Sequence, residues 1–79
     1  MIEANQAKLK DIIRAVLELP DGADVEGVKR ITTRRWDSLA QVSLIAAIEG
    51  EFNLTLPVAD YGRFTSYKAI ELLLNEKGL

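Results

Sequence analysis

Three segments of the chain place apolar residues at three- and four-residue spacing, and this periodicity limits the fold more than any other feature. Such spacing marks one face of an α-helix, and no segment alternates as a half-buried strand would. We predict main helices over residues 4–18, 38–52 and about 66–77, and a short helix over 60–64. With 79 residues, the chain is expected to form one all-α domain. That domain is a small four-helix bundle, three main helices and one short, with a long loop between the first two.

The boundaries follow from residues that start or stop helices. Asn5 is a candidate N-cap of the first helix, and Pro20 follows its end. Thr65 or Ser66 is expected to cap the last helix, and Gly78 to stop it. The buried stripe of the second helix is predicted from a regular apolar series, with Leu44 beside it: Leu39, Val42, Ile45, Ile48 and Phe52.

The connection over residues 20–36 is long for so small a domain. Three apolar residues at three-residue spacing predict a helical turn that folds onto the core: Val25, Val28 and Ile31. Four cations make the same stretch basic: Lys29, Arg30, Arg34 and Arg35. We favour a solvated face for these charges, since short charge runs are usually exposed.

Composition excludes several classes of function. The chain has no cysteine and no histidine, so disulfides, a protein thiol and the commonest general base and metal ligand are missing. We therefore expect neither an enzyme with its own catalytic residues nor a metal site. The net charge of -2 argues against nucleic-acid binding. No apolar run is long enough to span a membrane, and the N-terminus is unlike a signal peptide, so we expect a cytoplasmic protein.

The start of the second helix carries the most informative residues, Trp36-Asp37-Ser38-Leu39. Ser38 with Gln41 fits a capping box, in which the hydroxyl binds one free backbone N–H and the amide reaches back to another. Alternatively, Asp37 is the cap and Ser38 is the first helical residue. Taken by itself, the Asp-Ser-Leu tripeptide favours a capping role only.

The order of residues after this tripeptide resembles the acyl and peptidyl carrier protein family. The resemblance is carried by Asp37-Ser38-Leu39, by the apolar helix with Glu49 and Phe52, and by Leu54 and Leu56-Pro57. It extends to the short helix and the last helix, and it is weak before Trp36.

The resemblance implies a function for Ser38. In that family the serine after the aspartate bears 4'-phosphopantetheine, so Ser38 is the expected attachment site, Asp37 its acidic neighbour and Leu39 an apolar contact for the attaching enzyme. The implied partners are a phosphopantetheinyl transferase, a ligase that loads an acyl or aminoacyl group, and a downstream acyltransferase or synthase. The chain is then a monomeric carrier in fatty acid, polyketide or nonribosomal peptide biosynthesis, and not an enzyme.

The sequence also departs from the family. Arg35 stands where many carriers have glycine, and three positions that are often acidic hold Ala40, Ser43 and Gly50. We therefore expect partner recognition that depends less on charge than usual. The candidate partner-binding residues are Trp36, Leu39, Ala46, Ala47 and Glu49.

Two further features have alternative interpretations. Trp36 either packs as an apolar lid near Val42 or contacts a partner. An acyl chain is hypothesised to enter between the second and third helices, among Leu39, Val42, Leu56, Tyr61 and Phe64.

Two rival functions remain open. One is an unmodified docking domain that uses the alanine-rich face of the second helix. The other is a helix-turn-helix module that binds DNA through the basic loop.

Overall fold

Three α-helices form the domain, and the structure, a computed structural model, describes all residues from 1 to 79. The helices are α1 (Glu3–Leu17), α2 (Ser38–Phe52) and α3 (Tyr67–Glu76). Three short 3-10 helices lie in the connections, at Val25–Gly27, Arg30–Thr32 and Val58–Arg63. No strand is present, and the prediction of a small all-α bundle with a long first loop is confirmed.

Helix α1 buries the stripe that its sequence predicts. Leu9, Ile13 and Leu17, at i, i+4 and i+8, are fully buried. The prediction that Asn5 caps this helix is wrong, because the helix begins at Glu3 and its first turn has no side-chain cap. The Asn5 amide instead donates to the Leu79 carbonyl at 3.1 Å, which ties the two ends of the chain together.

Helix α2 has the predicted bounds but not the predicted orientation. Its buried residues are Ala40, Leu44, Ile45 and Ile48, whereas Leu39 and Val42 are 75% and 63% exposed. The predicted stripe is therefore wrong at these two positions. The physical reason is that no residue from 38 to 48 is charged, so apolar spacing fits more than one face of this helix.

The long loop packs against the start of α3. Val25 is buried and Val28 is half-buried, but Ile31 is 92% exposed, so the prediction that Ile31 packs onto the core is wrong. The loop is held by two backbone hydrogen bonds around an isolated Lys29–Ser66 bridge. The N–H of residue 30 donates to the carbonyl of residue 65 at 2.8 Å, and the N–H of residue 67 donates to the carbonyl of residue 28 at 3.0 Å. Backbone hydrogen bonds to the start of α3 and burial of Val25 together hold the loop against the bundle.

The predicted short helix is a 3-10 helix that starts two residues earlier than expected. Phe64, just after it, is fully buried, whereas Tyr61 is half-buried. Ser66 caps α3, as one of the two predicted candidates, and its hydroxyl accepts from the Ala69 N–H at 3.0 Å. The following Tyr67 is also fully buried, so the segment joins the core on both sides of its cap.

All three α-helices contribute to one core of 15 residues, none of which is charged. The loop adds Val25 and Trp36, and the segments around the third 3-10 helix add Leu56 and Phe64. Burial of apolar surface is therefore the main stabilising term, as expected when each helix is too short to hold alone. None of the helices has the length and apolar character needed to cross a membrane.

Candidate functional site at the start of helix α2

Asp37 is the N-cap of α2, which decides between the two capping alternatives. Its backbone is extended, and its Oδ1 accepts from the Ala40 N–H at 2.9 Å. Its carbonyl accepts the first helical hydrogen bond, from the Gln41 N–H at 2.9 Å. A carboxylate at this position also lies at the positive end of the helix dipole. Ser38 is therefore the first residue of the helix and not its cap.

Ser38 is exposed, and its hydroxyl has no hydrogen-bond partner within the protein. The backbone N–H groups of Ser38 and Leu39 also make no hydrogen bond, since only the third N–H of the helix is capped. A hydroxyl and two free N–H groups thus lie together at the surface. This arrangement favours an anionic group next to the serine.

Gln41 does not form the capping box that was one of the two alternatives. Its Oε1 accepts from the indole N–H of Trp36 at 2.8 Å, and its amide donates to the Tyr61 carbonyl at 2.9 Å. The side chain therefore joins the end of the long loop, the first turn of α2 and the third 3-10 helix. These bonds hold the backbone on both sides of Ser38 in a fixed position.

Trp36 is buried, with only 3% of its surface exposed. The alternative in which it packs as an apolar lid at the start of α2 agrees with this burial. The expectation that it contacts a partner stays a prediction, since the small exposed part of Trp36 lines a second open cleft beside Ile31 and Thr65. Its partner in the fold is Gln41, whereas the expected neighbour Val42 is largely exposed.

The exposed side of α2 carries no charge along its first three turns. We call Leu39, Val42, Ser43, Ala46 and Gly50 the outer face of α2; all five are exposed. Two of them are large apolar side chains, and contiguous exposed apolar surface is typical of interaction sites. The candidate partner-binding residues Leu39 and Ala46 therefore lie on an accessible surface.

The two remaining candidates are less accessible. Ala47 is half-buried. Glu49 is also half-buried, and its Oε2 accepts from the Leu56 N–H at 2.7 Å. This bond satisfies a backbone donor in the turn after α2, so Glu49 already has a structural role.

An open cleft of about 640 Å³ lies between the end of α1, the end of the long loop and the first turns of α2. We call it the α1/α2 cleft. Its apolar lining is Val16, Leu39 and Ala40, and its polar lining includes Arg34 and Ser43. Asp37 and Leu39 line the cleft, whereas Ser38 between them lies beside it and does not line it.

The charged groups around the α1/α2 cleft differ in whether they already have an ionic or hydrogen-bonding partner. Arg35 forms an ion pair with Glu18, and the Asp37 carboxylate is engaged as the helix cap. Arg34 is exposed and has no ion pair or side-chain hydrogen bond. Its guanidinium is therefore the one cation of the cleft without an ionic partner in the fold.

The space predicted between the second and third helices is filled. Leu56 and Phe64 are 2% and 0% exposed, and Leu39 and Val42 are largely exposed. Neither of the two main clefts is lined by Val42, Leu56, Tyr61 or Phe64. The open volume next to Ser38 lies on the α1 side of α2 instead.

The ionisable groups with shifted pKa values lie away from Ser38. Burial, followed by a hydrogen bond to Glu71 at 3.0 Å, raises the pKa of Tyr67 well above its usual range. A hydrogen bond from Arg63 lowers the pKa of Glu76. No group of three or more acidic side chains is placed to hold a metal ion. These shifts belong to packing and surface ion pairs.

Sequence reasoning missed the role of Gln41 and the ion pair of Arg35 with Glu18. The sequence pattern assigns Gln41 to capping, and its five-residue distance from Trp36 is the only signal of their contact. It assigns Arg34 to a solvated face together with Arg35. Nothing in a run of two arginines tells which of them pairs with Glu18, because that depends on how the loop meets α1.

Comparison with known proteins adds no further identification. No protein-family model matches the chain, and neither a curated protein nor a solved structure matches it.

Proposed function

We propose that the protein is a carrier, in which Ser38 bears a 4'-phosphopantetheine arm that holds acyl or aminoacyl intermediates as thioesters. The observation that carries the proposal is the free, exposed Ser38 hydroxyl at an uncovered helix start whose cap is supplied by Asp37. A serine needed only for capping would be bonded to the backbone. This serine is instead free to react.

The residues present fit a phosphodiester. The unpaired N–H groups of Ser38 and Leu39 and the positive end of the α2 dipole favour a negative charge at this place. Asp37 keeps the helix start intact without occupying those two donors. The neighbouring Arg34 adds a free cation on the cleft side.

Attachment changes one bond at Ser38. The Oγ attacks the phosphorus that carries the pantetheine in coenzyme A, and the pyrophosphate P–O bond breaks. Adenosine 3',5'-bisphosphate leaves, and the hydroxyl proton passes to the transferase or to water. The chain has no histidine, the commonest general base, to remove this proton.

The arm supplies the thiol that this cysteine-free chain lacks, and a thioester on that thiol is the cargo. The protein's own residues hold the attachment point still, through the Asp37 cap and the Trp36–Gln41–Tyr61 hydrogen bonds. Tethering then raises the concentration of the cargo at the active site of each partner enzyme.

The outer face of α2 suits the transferase, the loading ligase and the acceptor enzyme as a common docking surface. It begins next to Ser38 and offers Leu39 and Val42 on a part of α2 that carries no charged residue of its own. Recognition then depends on shape and apolar burial more than on ion pairs. A Leu39→Asp variant is the sharpest way to disrupt it without altering the buried core.

The test is the intact mass of the purified protein before and after incubation with coenzyme A, magnesium and a broad-specificity phosphopantetheinyl transferase. We expect a gain equal to one phosphopantetheine in the natural protein and none in Ser38→Ala. Ser43→Ala, which removes the next exposed serine of α2, is the matched control and should gain the same mass. A well-folded protein that gains nothing would refute the carrier proposal.

A second function, an unmodified docking domain, is favoured by the same uncharged outer face of α2. It would bind a partner through Leu39, Val42 and Ala46 while Ser38 stays unmodified. The same mass measurement separates the two, because only the carrier reacts with coenzyme A. Equal partner binding by the natural protein and Ser38→Ala would support the docking domain.

A further inference from the structure

We propose that the α1/α2 cleft receives the cargo of the Ser38 arm, and that Arg34 selects short acyl groups that end in a carboxylate. This inference rests on the carrier function proposed above and names the class of cargo. It depends on where open space lies near Ser38 and on which charge in that space has no partner.

The cleft has a volume of about 640 Å³, within the range of roughly 300–1,000 Å³ that is usual for small-ligand sites. Asp37 and Leu39, on either side of Ser38, both line it. An arm on Ser38 therefore starts beside the cleft, although the serine itself does not line it.

Long alkyl chains need a dry apolar interior. The interior next to α2 is filled by Leu44, Ile48, Leu56 and Phe64, each no more than 2% exposed. Opening it would also strain the hydrogen bond between Gln41 and Tyr61. The cleft therefore has room for a short, partly polar cargo. The structure has no comparable space for a long apolar cargo.

Arg35 is ion-paired with Glu18, and Asp37 is bonded to the backbone of α2, whereas the Arg34 guanidinium has no partner. Val16 and Leu39 supply an apolar wall for the carbon chain of a ligand. A carboxylate at the end of that chain would form a charge-assisted, bidentate contact with Arg34.

The phosphodiester of the arm is a second anion that could bind Arg34. The experiment must therefore distinguish the phosphodiester from the carboxylate of the cargo. The transferase is used to load the protein from coenzyme A, butyryl-coenzyme A or succinyl-coenzyme A. These give the arm alone, a neutral four-carbon cargo and an anionic four-carbon cargo. Intact mass confirms each loading before any other measurement.

The readouts are the NMR signals of the Arg34 Nε–H group and of the Val16 and Leu39 methyl groups. We expect the succinyl cargo to shift all three more than the butyryl cargo or the bare arm does. A ¹³C label in the free succinyl carboxylate adds a pH titration. Its pKa should lie below that of succinyl-coenzyme A in solution, because a nearby cation favours the ionised form.

Arg34→Gln is expected to abolish both the methyl shifts caused by the succinyl cargo and the lowered pKa of its carboxylate. Arg30→Gln is the matched control, because Arg30 is an unpaired loop cation that does not line this cleft. The control should keep the methyl shifts and the lowered carboxylate pKa. A loss of folding in Arg34→Gln is checked by its α-helical circular dichroism, since an exposed guanidinium without partners should not affect folding.

The outcomes are distinguishable. No mass gain overturns both the carrier function and this inference. A mass gain with equal Arg34 shifts for the bare arm and the succinyl cargo assigns Arg34 to the phosphodiester, and overturns the cargo inference alone. Equal shifts for butyryl and succinyl cargo overturn selection by the carboxylate.

Discussion

Asp37 and Ser38 are adjacent, but their side chains have different roles. The Asp37 carboxylate accepts a hydrogen bond from the Ala40 N–H at 2.9 Å, whereas the Ser38 hydroxyl makes no hydrogen bond within the fold. One residue is needed for the helix and the other is free for chemistry. Stability measurements on single variants separate these roles.

Asp37→Ala should destabilise the protein by about 1 kcal/mol, because it removes the N-cap of α2. Ser38→Ala should change the free energy of unfolding by no more than about 0.5 kcal/mol, as at other exposed positions. Asp37→Asn keeps a capping oxygen and is the control. Urea denaturation measures all three, and an equal loss for Asp37→Ala and Ser38→Ala would show that the serine also caps.

The indole of Trp36 contributes to stability through its N–H group as well as through its buried rings. Trp36→Phe keeps an aromatic ring but leaves the Gln41 Oε1 without its donor at 2.8 Å. We expect a loss of about 1 kcal/mol in unfolding free energy, typical of one hydrogen bond, besides the smaller ring's packing loss. In a Gln41→Leu background the same substitution should cost less, and simple additivity in this double-mutant cycle would refute the coupling.

In the helices and loops, the backbone conformation and the space around a residue decide which substitutions each segment tolerates. Gly50 is an exposed helical residue of α2, and a Cβ added there would meet no atom within 4 Å. Gly22, in the turn after α1, has a φ of +83°, which side chains rarely adopt. Glycine is therefore replaceable in the helix and required in the turn.

Gly50→Ala should stabilise the protein by roughly 0.5–1 kcal/mol, because alanine loses less conformational freedom in a helix. Gly22→Ala should destabilise it by about 1 kcal/mol, because of the left-handed backbone at that residue. Thermal denaturation of the two variants should thus move the midpoint in opposite directions. A lower midpoint for Gly50→Ala would mean that the outer face of α2 is covered in solution.

In the whole molecule, surface ion pairs join the third 3-10 helix to the end of α3. The Arg63 guanidinium donates to both carboxylate oxygens of Glu76, at 2.7 and 2.6 Å. The Lys77 ammonium lies 2.9 Å from Asp60 Oδ2. The two pairs connect segments that are otherwise held by the buried Phe64 and Tyr67.

The hydrogen bond from Arg63 lowers the pKa of Glu76, so the folded protein binds the Glu76 proton less tightly than the unfolded chain does. The stabilisation is therefore complete above the unfolded-state pKa and is lost as the pH falls through the lower folded-state pKa. We expect Glu76→Gln to lower the melting temperature at pH 7 and to have no effect once both states are protonated. Glu3→Gln, an exposed acid without an ion pair, is the control; a pH-independent Glu76→Gln effect would contradict this linkage.

The sequence by itself determined the number and bounds of the α-helices. Apolar periodicity and end signals located α2 at its observed bounds and α3 with its Ser66 cap, and missed α1 by one residue at each end. These features depend on residues close together in the chain, whose local preferences do not require the rest of the fold. The same local order carried the resemblance that singled out Ser38.

The tertiary structure alone decided which side of α2 is buried, which residue caps it and where open space lies. Leu39 and Val42 are exposed because the core takes up Ala40, Leu44 and Ile48, and an uncharged helix contains no signal that distinguishes these faces. Trp36 can be buried because Gln41 accepts its N–H. The cleft beside Ser38 exists because α1, the loop and α2 meet there, and no single segment encodes that meeting.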